Sequence, residues 1–167
     1  MTTSLIERYR DRLPVSPQTP VVSLGEGSTP LLPAPRLAAS AGIRELWLKW
    51  EASNPTGSYK DRGMTVAVSK ALEQGVDAVL CASTGNTAGS AAAYAARAGL
   101  PALGLTPEGA VSGAKLAQTR MLGATILEVQ GSFDDALRAA QELAERGAHV
   151  LVNSLNPHRR EGQKTAV

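Results

Sequence analysis

The chain has 167 residues, 43% hydrophobic and 19% charged, which bounds it to about one globular domain, or a domain with part of another. Its formal net charge is +2, from 17 basic and 15 acidic residues, too weak to argue for nucleic acid or an anionic membrane as partner. Cys81 has no second cysteine to pair with, which fits a reducing compartment, and no apolar run approaches the ~20 residues of a membrane span. Residues 1–12 are polar and lack the apolar core of a signal peptide. A soluble, cytoplasmic protein is expected. Aromatics make up only 4%, so Ala, Leu and Val must supply the packing.

Residues 4–10 predict a short helix, and Pro14, Pro17 and Pro20 keep the next stretch extended. The glycines and proline of residues 24–31 mark a loop. A helix over 34–41 ends at Gly42. Residues 45–50 read as a strand, leading through Asn54, Pro55 and Gly57 into a turn. Ser58 is the expected N-cap of a helix over 59–74. Beyond it strands are expected over 78–81, 102–105, 125–129 and 149–152. Helices are expected over 86–98, 112–122 and 133–146, most of them closed by glycine. The rhythm predicts an α/β fold: a three-layer αβα arrangement about a parallel sheet with right-handed crossovers. Another helix starts near Arg160 with no stop signal after it, so an incomplete polypeptide is expected.

In such sheets ligands bind off the carboxyl ends of the strands, beside helix N-termini. Three loops are expected at that edge. The first carries Lys60 in an opening helical turn, near the positive end of the helix dipole, where cations are not favoured. Only a free amine can form a Schiff base, so this placement suits carbonyl chemistry; it also fits a solvated surface lysine. Asp61 and Arg62 beside it read as a solvated pair. The second loop, residues 82–90, contains Ser83, Thr84, Gly85, Asn86 and Thr87 and fits either an anion site or a polar helix cap. The third, residues 153–160, sets Arg159 and Arg160 after a Ser/Asn-rich turn, a fair site for an anion or simply a solvated basic turn. One Cys and two His at wide spacing make no zinc site. Cys81 reads as a small buried hydrophobe, and His149 and His158 as structural. No dinucleotide or P-loop fingerprint is present.

The block Asn54-Pro55-Thr56-Gly57-Ser58-Tyr59-Lys60-Asp61-Arg62-Gly63-Met64 resembles the lysine motif of the fold-type II pyridoxal-phosphate (PLP) enzymes, and within them of the threonine synthases, at every position. Glu26-Gly27-Ser28-Thr29-Pro30-Leu31 is similar to a segment that precedes the lysine in threonine synthases and threonine dehydratases. Asn156-Pro157-His158-Arg159-Arg160-Glu161-Gly162-Gln163-Lys164-Thr165 is similar to a mid-chain segment of the threonine synthases. The resemblance covers nearly this whole chain, but only about the first half of the family's length.

The resemblance implies that Lys60 holds PLP as a Schiff base and then serves as the proton carrier. It implies that Asn86 faces the 3′-oxygen of the cofactor and that Ser83, Thr84 and Thr87 hold the substrate carboxylate. Ser154 and Arg159 would bind the phosphate of O-phosphohomoserine, with Lys115 a further anion contact. It further implies a homodimer in the complete protein. Residues 1–44 would belong to a large domain, 45–150 would form the small domain with the asparagine loop, and 151–167 would return to the large domain. The implied reaction is O-phosphohomoserine plus water giving L-threonine and phosphate. Threonine or serine dehydratases and cysteine synthases share the lysine and asparagine motifs, but a phosphate-binding arginine has no use in dehydration. A non-catalytic piece that binds a partner half is the alternative of another class. In the family the glycine-rich loop for the cofactor phosphate and the hydroxyl facing the pyridine nitrogen lie in the second half. This piece alone is therefore expected to turn over little.

Overall fold

A computed structural model describes residues 3–109 and 113–166, with the side chains of 113–115 outside the description. The first helix, α1 (Leu5–Arg8), starts at a reciprocal cap between Ser4 and Glu7 and buries Leu5 and Ile6. Strand β1 (Leu31–Pro33) and strand β2 (Trp47–Lys49) pair antiparallel, with Leu32 opposite Leu48, and α2 (Pro35–Ser40) joins them. This corrects the expected first strand. Residues 45–50 were expected to enter the parallel sheet; only Trp47–Lys49 is extended, and it lies in a separate two-stranded ribbon. Its partner fell in a stretch read as loop because Pro30 and Pro33 flank it, and proline in a strand is tolerated only at an edge. The Lys60 loop thus leaves the ribbon, through the short helical turn Glu51–Ser53, and not the parallel sheet.

After α3 (Lys60–Glu73) the sheet proper begins. It contains β3 (Ala78–Ala82), β4 (Ala102–Pro107), β5 (Thr125–Val129) and β6 (His149–Leu151), all parallel, in the order β5-β4-β3-β6. The connecting helices are α4 (Asn86–Ala98), α5 (Gly113–Met121) and α6 (Phe133–Arg146). Successive side chains of a strand face opposite layers. Val79 and Cys81 pack with Met64 and Val68 of α3 and Ala91, Ala92 and Tyr94 of α4. Ala82 and Leu105 pack on the other face against Ala136 and Ala140 of α6. The expected three layers are present. The chain steps from β3 to β4 on one side, whereas β6 returns to the other side of β3. In open α/β sheets ligands bind at such a reversal, off the carboxyl ends of the two strands.

The last helix, α7 (Pro157–Gln163), begins earlier than expected. Asn156 caps it by accepting the Arg159 N–H at 3.0 Å, and Pro157 fills a first-turn position that needs no donor. It crosses α3 through two glycines. A Cβ on Gly63 would lie 2.5 Å from the Arg159 carbonyl oxygen. One on Gly162 would meet the Arg62 carbonyl oxygen, with Val66 Cγ2 at 2.8 Å and Gly63 Cα at 3.0 Å. The two carbonyl oxygens and Gly63 Cα are backbone and cannot rotate away. Gly162→Ala is expected to cost about 3 kcal/mol of overpacking against roughly 1 kcal/mol of helix propensity returned. Gly89→Ala, whose Cβ would meet only Gln118 at 3.5 Å, should not destabilise. Urea midpoints with unchanged slope measure both; a midpoint for Gly162→Ala at or above the parent's contradicts the close crossing.

Candidate functional site

Lys60 is the first residue of α3 and is half-buried. Its Nζ donates to the Tyr59 hydroxyl at 2.8 Å and sits 4.5 Å from the centre of the Tyr59 ring. Ser58 is not the N-cap expected. Tyr59 holds that position without a side-chain bond, and the buried Ser58 Oγ accepts the Lys60 N–H at 3.2 Å. Asp61 displaces it as the organiser of the turn, because its carboxylate takes the Thr56 N–H at 2.7 Å and the Thr56 hydroxyl at 2.6 Å.

Asp61 and Arg62 are not the solvated pair expected; both are buried and they face different partners. Asp61 also accepts the Ser90 hydroxyl of α4 at 2.5 Å. Arg62 donates twice to Glu51, at 2.7 and 2.8 Å, and to the Thr29 hydroxyl and the Thr165 carbonyl. Burial pushes the Glu51 carboxyl up, but bonds from Arg62, Thr29 and Asn54 outweigh it and hold it at about 2. Arg62 therefore ties the amino-terminal segment, the turn before Lys60 and the turn after α7 together.

The second loop leaves β3. Ser83 accepts the Gly85 N–H at 3.2 Å, and the half-buried Thr84 follows it. Gly85 precedes α4, and among the described residues no atom lies within 4 Å of where its Cβ would sit. Asn86 is the exposed first residue of α4. Thr87 accepts a hydrogen bond from Arg159 Nη2 at 3.4 Å. Sequence reasoning missed Asn153, whose carboxamide accepts the Ala82 N–H at 2.9 Å and donates to the Ala82 carbonyl at 2.8 Å. It locks the end of β3 to the loop after β6. The only signal was an asparagine directly after a strand.

Arg159 is wholly buried. Nη1 donates to the Val152 carbonyl at 3.0 Å and Nη2 also reaches Gln163 at 3.4 Å, while the buried Nε–H has no partner among the described residues. Among the described residues no carboxylate pairs with this guanidinium, and burial lowers its pKa. A buried cation without a counter-charge is costly unless a ligand supplies one. Ser154 lies exposed in the turn before α7. Lys115 stands in the first turn of α5, and its side chain falls outside the described residues. Cys81 is the small buried residue expected: burial pushes its thiol up to about 12, although the charges of Arg159 and Lys60 both reach it and pull the other way. Through its bond to Thr87, Arg159 is joined to the loop after β3.

The donors that these loops carry are an amine, a carboxamide, hydroxyls, a helix start and a buried guanidinium whose Nε–H has no partner among the described residues. This set fits an aldehyde cofactor carrying anionic groups, together with an anionic substrate.

A family profile described as pyridoxal-phosphate dependent enzyme matches residues 22–167. The chain is 56% identical over 164 residues to a threonine synthase of a Synechocystis species, covering 97% of this chain and 43% of the relative. It is 52% identical over 158 residues to the threonine synthase of Methanocaldococcus jannaschii, covering 95% and 39%. The chain thus spans less than half the length of these curated relatives. Among solved structures, a maize serine racemase superposes with a TM-score of 0.73 at 26% identity, over 83% of this chain and 42% of that one. A pyridoxal 5′-phosphate-dependent aspartate racemase shares the fold, with a TM-score of 0.78 at 23% identity, over 97% and 48%.

Proposed function

Because the chain belongs to the family of pyridoxal-phosphate-dependent enzymes, we propose that it is the lysine-bearing part of a threonine synthase, and that the complete protein converts O-phospho-L-homoserine and water to L-threonine and phosphate. The observation that carries this reading is Arg159: buried, without a carboxylate partner among the described residues, and bonded to Thr87 of the asparagine loop. A fixed cation beside that loop suits a substrate with a phosphate. A phosphate-binding arginine has no use in a dehydratase acting on serine or threonine. The identity to threonine synthases, 56% across nearly the whole chain, supports the same choice.

When bound, pyridoxal phosphate supplies the electron sink for carbanion chemistry. Lys60 would hold it through its amine and Asn86 would face its 3′-oxygen. The same Lys60 amine, when free, would move protons at the α and β carbons of the substrate. Ser83, Thr84 and Thr87 would bind the substrate carboxylate. Ser154 and Arg159, with Lys115, would bind the phosphate, orient the γ C–O bond and receive the departing anion. Water adds at the β carbon. The proposal includes the division at residues 44 and 150, a homodimer and a cytoplasmic location; no helix among the described residues is long and apolar enough to cross a membrane.

The test is to give the complete, cofactor-loaded protein O-phosphohomoserine in ¹⁸O-water. One threonine per phosphate released, with the label in the threonine hydroxyl, is expected. Inertness toward this substrate, together with 2-oxo acid formation from serine or threonine, or cysteine formation from O-acetylserine and sulfide, overturns the proposal in favour of a dehydratase or cysteine synthase.

A further inference from the structure

Resting on the reading of Lys60 and Asn86 as the cofactor residues, we propose that Asp61 and Ser90 are positioning residues that set the lysine-bearing helix against the asparagine-bearing helix. Lys60 and Asn86 are each the first residue of their helices, α3 and α4. Neither can be placed by the body of its helix alone, because helix starts fray unless something outside holds them. Asp61 follows Lys60 in the first turn of α3 and is fully buried. Ser90 follows Asn86 by one helical turn, so the two share a face of α4. The Ser90 hydroxyl, also fully buried, donates to Asp61 Oδ1 at 2.5 Å. The face of α4 that carries Asn86 is therefore the face held to the residue beside Lys60.

The same carboxylate takes both the N–H and the hydroxyl of Thr56, at 2.7 and 2.6 Å. One buried group thus joins the turn before Lys60, the start of α3 and the second turn of α4. All its hydrogen-bond donors among the described residues are uncharged; the neighbouring cation, Arg62, is turned to Glu51. A buried carboxylate without an ion pair is a poor device for stability, and an apolar contact between the helices would serve that end better. What directed hydrogen bonds add is register. Packing of Met64 and Val68 against Ala91 and Tyr94 holds the helices together, while Asp61 decides where their first residues meet.

The experiment uses the complete protein. Ser90→Ala removes the link to α4, and Thr56→Val, in a half-buried turn, removes one link to the turn before Lys60. Each variant is stripped of cofactor, titrated with pyridoxal phosphate, reduced with borohydride and mapped for the modified lysine. Ser90→Ala should still be labelled at Lys60, with the cofactor dissociation constant raised about 10-fold, the size of one well-made hydrogen bond. The melting temperature of its cofactor-free form should stay within about 3 °C of the parent's. Ser90→Cys, which keeps a weak donor, should recover part of the affinity. Adding Ser90→Ala to Asp61→Asn should cost less than it does alone, because the two act as a unit. A lowered melting temperature with unchanged cofactor affinity means packing only and overturns the proposal. Should Ser90→Ala not fold, unchanged affinity in Thr56→Val overturns it equally. A parent protein unlabelled at Lys60 overturns the reading of the site beneath it as well.

Discussion

Lys60→Ala leaves the complete protein folded, without borohydride-fixed cofactor at residue 60, and slower in threonine formation by at least about 10³-fold. That factor is what a positioned proton carrier contributes by itself; loss of the covalent attachment adds to it. The structure says why the loss is chemical. The Lys60 side chain is half-buried, and the bond given for its ammonium is to the hydroxyl of its neighbour Tyr59. Removing it breaks no core contact, so stability should change by no more than about 0.5 kcal/mol. A small primary amine in the buffer should restore part of the rate by supplying the missing base. Labelling elsewhere with normal turnover in the variant would take Lys60 out of the site.

Arg159→Ala should act on substrate far more than on cofactor. The guanidinium is the buried cation without a carboxylate partner among the described residues. A charge-assisted bond to a phosphate carries about 1.5–3 kcal/mol, so the apparent affinity for O-phosphohomoserine should fall on the order of 10²-fold. The cofactor dissociation constant should move by less than about 3-fold, the margin of an indirect effect. Equal losses of both would contradict the assigned role. Some stability is lost as well, because the Val152 carbonyl gives up its donor inside the protein, at about 1–3 kcal/mol. Arg159→Lys should not rescue: an ammonium keeps the charge but cannot serve Val152, Thr87 and an anion at once with the geometry of a planar fork. Denaturation curves separate the stability loss from the binding loss.

The sequence by itself determined those elements whose signals lie within a turn of their ends. The helix Asn86–Ala98 has the bounds expected because Gly99 ends it in the left-handed region, at φ 71°. Phe133–Arg146 has them because Ser132 and Asp135 cap one another. The lysine motif was read in the same way, since the role proposed for Lys60 rests on a contiguous block. Tertiary structure decided whatever depends on a distant partner. Trp47–Lys49 joins an antiparallel ribbon and not the main sheet because its partner is Leu31–Pro33, and pairing is not written in either strand alone. Arg62 is buried because Thr29 and Glu51 reach it from earlier in the chain and Thr165 from its far end. Arg159 meets Thr87 from 72 positions away. The strand order β5-β4-β3-β6 sets the loop after β6 beside the loop after β3, although the β–α rhythm is equally compatible with other orders. Local signals act through a few adjacent backbone groups and so can be read along the chain. The site depends on which strand ends become neighbours, and the burial of residues far apart in sequence settles that.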